Sequence, residues 1–124
     1  MTLKILLLIL SSVTLSATAQ MAMKAGMTAP AVAAALASGD RLTIALAIAS
    51  SPLVFTGLAL YGLAAALWLF VLARIDVSVA YPFVGIGFLL TMAFGALFLG
   101  ESINATRLIG TLLVAGGVYL VAQS

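Results

Sequence analysis

The chain has 124 residues, 65% of them hydrophobic and only 6% charged, with a mean hydropathy of +1.36. Soluble domains run at about 45–50% apolar and about 25% charged, so five cations and three carboxylates cannot supply a polar surface, and the solvent for most of this chain is lipid. With neither His nor Cys it lacks the usual zinc, haem or iron–sulfur ligand sets and any thiol nucleophile; no metal, cofactor or catalytic group is expected, and scattered cations make no nucleic-acid stripe.

The charged residues Lys4, Lys24, Asp40, Arg41, Arg74, Asp76, Glu101 and Arg107 divide the chain into apolar runs. A helix needs about 20 apolar residues to cross a hydrocarbon layer about 30 Å thick, so the run after Lys4 predicts a first span over 3–23. The Ala-rich segment that follows is interrupted by Ser38-Gly39-Asp40-Arg41 and predicts short helices at the membrane surface. Leu42 to Ala73 would reach about 48 Å as one helix and must break. Ser50-Ser51-Pro52 supplies the break, because proline suits the first turn of a helix and opposes its interior, so the second span is expected over 51–73. The third is expected over 77–99. The fourth covers 105–122, with Arg107 at an interface where its stem can snorkel.

These spans make one all-α transmembrane domain, 1–124, with four helices and a short interfacial helical segment between the first and second. The brief links at 74–76 and 100–104 force neighbouring spans to be antiparallel, so both termini lie on one side. Lys4, Ile5 to Leu10 and Ala17-Thr18-Ala19 also have the layout of a secretory signal, but cleavage there would discard a polar-striped helix, and the segment is read as retained. One side then carries Lys4 and Arg74, the other Lys24, Arg41 and Arg107, a bias of one charge for the positive-inside rule.

Within the first span, Ser12, Ser16, Gln20 and Lys24 recur every four residues and share one slowly drifting helix face. In lipid such a stripe faces protein or a water-filled cavity. The serines also fit simple interhelical packing, whereas an amide and an ammonium at a cavity mouth suit an anionic headgroup. Tyr61 and Trp68, seven apart, share a face of the second span; Tyr61 sits mid-span, where its hydroxyl needs a partner. In the third, Pro82 frees a carbonyl and Gly85 and Gly87 let the backbone bend or a neighbour approach, which marks a hinge. Gly110 and Gly117 lie two turns apart on the fourth helix, beside Gly116, and offer close approach to another helix, as a homodimer or with a related chain. Asn104-Ala105-Thr106 matches a glycosylation pattern, but Asn104 is more simply a helix N-cap.

Leu15-Ser16 to Gln20 to Lys24, Leu67-Trp68, Ser78-Val79-Ala80-Tyr81-Pro82, Gly100-Glu101-Ser102 and Gly110 to Gly117-Val118 together resemble the drug/metabolite transporter superfamily. The similarity is greatest to its short EamA-type branch, which includes aminoarabinose-phosphoundecaprenol flippase subunits, and more distant to the small multidrug resistance transporters. The resemblance implies a multi-pass transporter of the bacterial inner membrane. In the multidrug exporters a first-helix glutamate binds protons or the cationic drug; aligned on Lys24, Ser16 stands there, and Asp40, Asp76 and Glu101 fall outside the expected spans. Proton-for-cation exchange is therefore disfavoured.

The expected function is a flippase component for a polyprenyl-phosphate-linked sugar, working by alternating access. Lys24, aided by Arg107, attracts the phosphate, Ser16, Gln20 and Tyr81 bond the sugar, and Tyr61 and Trp68 line the cavity. Two alternatives stand beside it: a small multidrug or metabolite exporter taking a small polar or amphipathic substrate, and a non-transporting accessory subunit of a larger membrane enzyme.

Overall fold

The computed structural model describes residues 2–124, and among these every regular element is helical. Helix α1, Leu3–Met27, starts where the Thr2 hydroxyl accepts the Ile5 amide at 3.3 Å. It ends at Thr28-Ala29-Pro30, because the residue before a proline is driven to extended backbone, and Ala29 adopts it with ψ 149°. The expected end at residue 23 is corrected by one turn, so that Lys24 lies inside the last turn. Gly26 is tolerated in that turn because it abuts another helix: a Cβ there would lie 2.8 Å from the Val54 backbone nitrogen.

Two short helices follow, α2 (Pro30–Ser38) and α3 (Arg41–Ala49). Gly39, at φ 71°, supplies the left-handed residue that closes α2. Asp40 then caps α3, its carboxylate accepting the Thr43 hydroxyl at 2.6 Å and the Thr43 amide at 3.4 Å. These two hydrogen bonds, the hydroxyl's first, hold the exposed Asp40 carboxyl below its ordinary pKa. The pair packs on itself and only marginally on α1 and α4.

Helix α4, Pro52–Leu72, begins with Pro52 in its first turn and the Ser51 hydroxyl accepting the Val54 amide, as the Ser-Ser-Pro break predicts. The third span is not one continuous helix. Its 22 residues, Val77–Phe98, divide into α5 (Val77–Ala80), a tight 3₁₀ turn at Tyr81–Phe83 and α6 (Val84–Phe98), because Pro82 has no N–H to continue the ladder. Helix α7, Ala105–Gln123, is capped by Asn104, whose side-chain oxygen accepts the Arg107 amide at 2.8 Å. Leu3–Met27, Pro52–Leu72, Val77–Phe98 and Ala105–Gln123 are each long and apolar enough to cross a membrane.

Helix α1 is central. Its longest seam is with α4, a lesser one runs along α6, and α7 is carried on α6. The α1/α4 seam is antiparallel: Ser12 donates to the Ala64 carbonyl at 2.8 Å, Gly57 lies against Ala19 and Met23, and Gly26 against Val54. A Cβ on Gly57 would stand 2.9 Å from both the Ala19 oxygen and the Met23 nitrogen, so backbone meets backbone there. Ala17 and Ala19, where the signal-like pattern ends, are buried. A small apolar core of Ile9, Val13, Val71, Ala80, Phe83 and Val118 ties the four spans at the end that bears the termini. Large apolar side chains such as Leu58, Phe70, Phe98 and Leu113 point outward, which lipid tolerates at no cost.

Candidate functional site

A cavity of about 1180 Å³ opens between α1, α4, α6 and the start of α7. The four-residue period of the α1 stripe brings all of Ser12, Ser16, Gln20 and Lys24 to it. Tyr61 and Trp68 face it from α4, Tyr81 from the 3₁₀ turn, and Arg107 from the first turn of α7. The seven side chains singled out from sequence as substrate-binding (Ser16, Gln20, Lys24, Tyr61, Trp68, Tyr81 and Arg107) thus lie on one wall system.

The register orders them along the membrane normal. At 1.5 Å per residue the stripe from Ser12 to Lys24 runs about 18 Å. Trp68 and Tyr81 lie towards the end that bears the termini, Ser16 and Tyr61 at mid-height. Lys24 and Arg107 are at the opposite end, joined there by Glu101 and Ser102 from the α6–α7 link. Ser12 differs from the rest of the stripe. It is 4% exposed and its hydroxyl is spent on Ala64, so it holds α1 to α4. Tyr61, expected to need a buried partner, is instead 47% exposed and opens on the cavity.

Arg107 is partly tethered, one guanidinium nitrogen donating to the Ser102 carbonyl at 2.8 Å, which leaves further N–H donors for a ligand. Lys24, in the last turn of α1, is exposed and carries three free donors. A second, smaller space of about 410 Å³ runs between the 3₁₀ turn, α6 and α7, lined by Tyr81 and otherwise by apolar residues and glycines. Tyr81, Val84 and Phe88 line both spaces.

The residues marked as a hinge divide into two kinds. Pro82 sits in the 3₁₀ turn, whereas Gly85 and Gly87 face neighbouring helices: a Cβ on Gly85 would collide with Val114 at 2.6 Å and Val118 at 2.9 Å, and one on Gly87 would stand at the ordinary contact distance of 3.4 Å from Val13. Gly110, Gly116 and Gly117 lie on an exposed face where an added Cβ meets nothing within 4 Å.

Thr91, Ser102 and Thr111 line the cavity without having been singled out from sequence, and so does Glu101. It does lie outside the helices, yet it lines the cavity. The signal was present in Gly95 and Gly100, whose spacing allows a reversing turn at a helix end.

A model of the Small Multidrug Resistance protein family matches residues 5–114. Among curated relatives, a probable 4-amino-4-deoxy-L-arabinose-phosphoundecaprenol flippase subunit of Pseudomonas fluorescens is 36% identical over 73 residues, which are 59% of this chain and 64% of the relative. The protein of the same description from Pseudomonas savastanoi is 33% identical over 78 residues, 63% of this chain and 68% of the relative. That from Pseudomonas aeruginosa is 32% identical over 74 residues, 60% and 64% respectively. The match therefore spans just under two thirds of the first relative's length. No solved structure matches the chain. With four membrane-length helices and relatives of this kind, the chain is a multi-pass protein of the bacterial inner membrane and belongs to the Small Multidrug Resistance protein family.

Proposed function

We propose that the chain is a component of an inner-membrane flippase for a polyprenyl-phosphate-linked sugar. The observation that carries this reading is the sorting of chemistry within one cavity: charged groups, two cations and the Glu101 carboxylate, at one end, neutral hydrogen-bonding and aromatic groups along its length, and an apolar groove beside it. Lys24 attracts the phosphate as a mobile point charge, and Arg107 adds directed donors. Ser16, Gln20 and Tyr81 bond sugar hydroxyls, Tyr61 and Trp68 offer ring faces, and the lipid tail stays in hydrocarbon. The turn at Tyr81–Phe83, with Gly85 and Gly87 behind it, is where the third span flexes to expose the cavity alternately. The open glycine face of α7 receives a second chain, either a copy or a relative, which thickens the cavity wall.

The test is binding by the purified protein of a short-chain polyprenyl phosphate, followed by thermal shift. Stabilisation by the lipid phosphate is expected, with Lys24→Ala weakening affinity about ten-fold, the scale of a lost charge-assisted hydrogen bond. An unchanged affinity in Lys24→Ala removes the charge from the mechanism. A cation exporter is the second reading, favoured by the family match and by Glu101 in the cavity; stabilisation by quaternary ammonium compounds alone selects it.

A further inference from the structure

The turn after α6 aims a carboxylate back into the cavity. The amides of Leu99 and Glu101 both donate to the Gly95 carbonyl, at 3.1 and 3.0 Å, and Gly100 between them takes φ +67°. The second bond runs back six positions, one more than in the six-to-one helix closure, and it folds Glu101 over the residue accepting it, where such turns commonly place two apolar side chains. Here the pair is Glu and Gly. The Glu101 carboxylate rests on the bare Cα of Gly95, where any Cβ would collide with its Oε1. Among the described residues no side chain forms an ion pair with it, although Lys24 and Arg107 line the same cavity.

A free carboxylate beside two cations works against a purely anionic cargo, since like charges placed together lower affinity. It is an asset when the cargo carries a positive group of its own. We propose that Glu101 recognises an ammonium on the sugar, so that the cavity reads a zwitterionic headgroup: phosphate to Lys24 and Arg107, amine to Glu101, with Gly95 as the residue that lets the carboxylate reach its place. The proposal rests on the phosphate-lipid reading above and assigns the specificity within it.

The experiment compares two probes on the full chain in lipid nanodiscs, the farnesyl phosphodiesters of a 4-amino-4-deoxypentose and of the same pentose with a 4-hydroxyl. The wild type is expected to prefer the amine about ten-fold, the scale of one charge-assisted hydrogen bond. Glu101→Gln should bring the two probes to parity without weakening the hydroxyl probe. Gly95→Ala, which improves helix propensity and keeps the charge while displacing it, should reduce the preference in the same direction. Lys24→Ala should weaken both probes by one common factor. A wild type that binds both probes equally overturns the role of Glu101 and leaves the phosphate reading standing. So does an equal loss of both in Glu101→Gln, which would make Glu101 a structural part of the turn. A wild type that binds neither probe fells the phosphate reading, and the amine site with it.

Discussion

Asp40 and Lys24 are both charged residues beside helix ends, and the structure gives them different work. The Asp40 carboxylate is satisfied locally, by Thr43, and its pKa is lowered. A native pKa below the unfolded value of about 3.9 means that the cap contributes fully at neutral pH. It fades as pH falls through the lowered native value. The protection of the Thr43 amide, measured against the unstructured-chain exchange rate at each pH, should therefore fall on acidification below about pH 4, and Asp40→Ala should lower it to the same level at neutral pH. Lys24 has no such local partner, and its surroundings are the cavity; substitution there is expected to alter binding and leave folding alone. The interruption at Ser38-Gly39-Asp40-Arg41 was legible in the Ala-rich run, whereas the capping role of Asp40 shows only in its hydrogen bonds to Thr43. The direction of Glu101 was not legible, because it depends on a backbone reversal at Gly100 that returns the chain towards the cavity wall it has just left.

At the scale of whole helices, the decisive feature is which glycines touch something. Gly57 sits where the backbones of α1 and α4 meet, while Gly110 faces open space; both are helical glycines in apolar surroundings, and sequence alone gives them equal standing. Gly57→Leu should destabilise the chain by about 1–3 kcal/mol through overpacking, read as a lower midpoint of denaturant unfolding in detergent micelles. Gly110→Leu, which meets no neighbour within the chain, should change that midpoint only by removing its dependence on protein concentration, and should shift the protein from the proposed dimer to monomer in cross-linking and sedimentation. The start of α4 was readable from Ser51-Pro52. The end of α1 was not, since Lys24, Ala25 and Gly26 read like a terminus, and only the close approach of Val54 explains why the helix continues through them. The break in the third span was expected near Pro82, but its confinement to Tyr81–Phe83 reflects packing that sequence does not display: Gly85 is held against α7 and Gly87 near α1.

For the molecule as a whole, the apolar majority of the composition is spent outward, on lipid, and the buried core is correspondingly small. The polar stripe of α1 and three of the eight charged residues face one cavity, which is why a count of helices and a single polar stripe conveyed most of the architecture. What they could not convey was which faces α6 and α7 turn inward, since those helices have no comparable stripe. Orientation is a property of this scale too. Lys4 and Arg74 stand at one end of the spans and Lys24 and Arg107 at the other, an even balance that only Arg41, in the link between the first two spans, tips. Lys4→Ala combined with Arg74→Ala should commit the Lys24 end to the cytoplasm, which cysteine labelling from either side of the membrane will report.

Tyr81, Val84 and Phe88 stand between the polar cavity and the apolar groove. The boundary between a wet compartment and an oily one is there a partition one side chain thick. Two of its three panels, Tyr81 and Phe88, are exposed aromatic rings, 65% and 55% accessible, and exposed side chains change rotamer in picoseconds to nanoseconds, whereas segments of backbone need microseconds or longer. Communication between the two compartments is therefore a matter of ring rotation, set on a clock several decades faster than any rearrangement of the spans themselves.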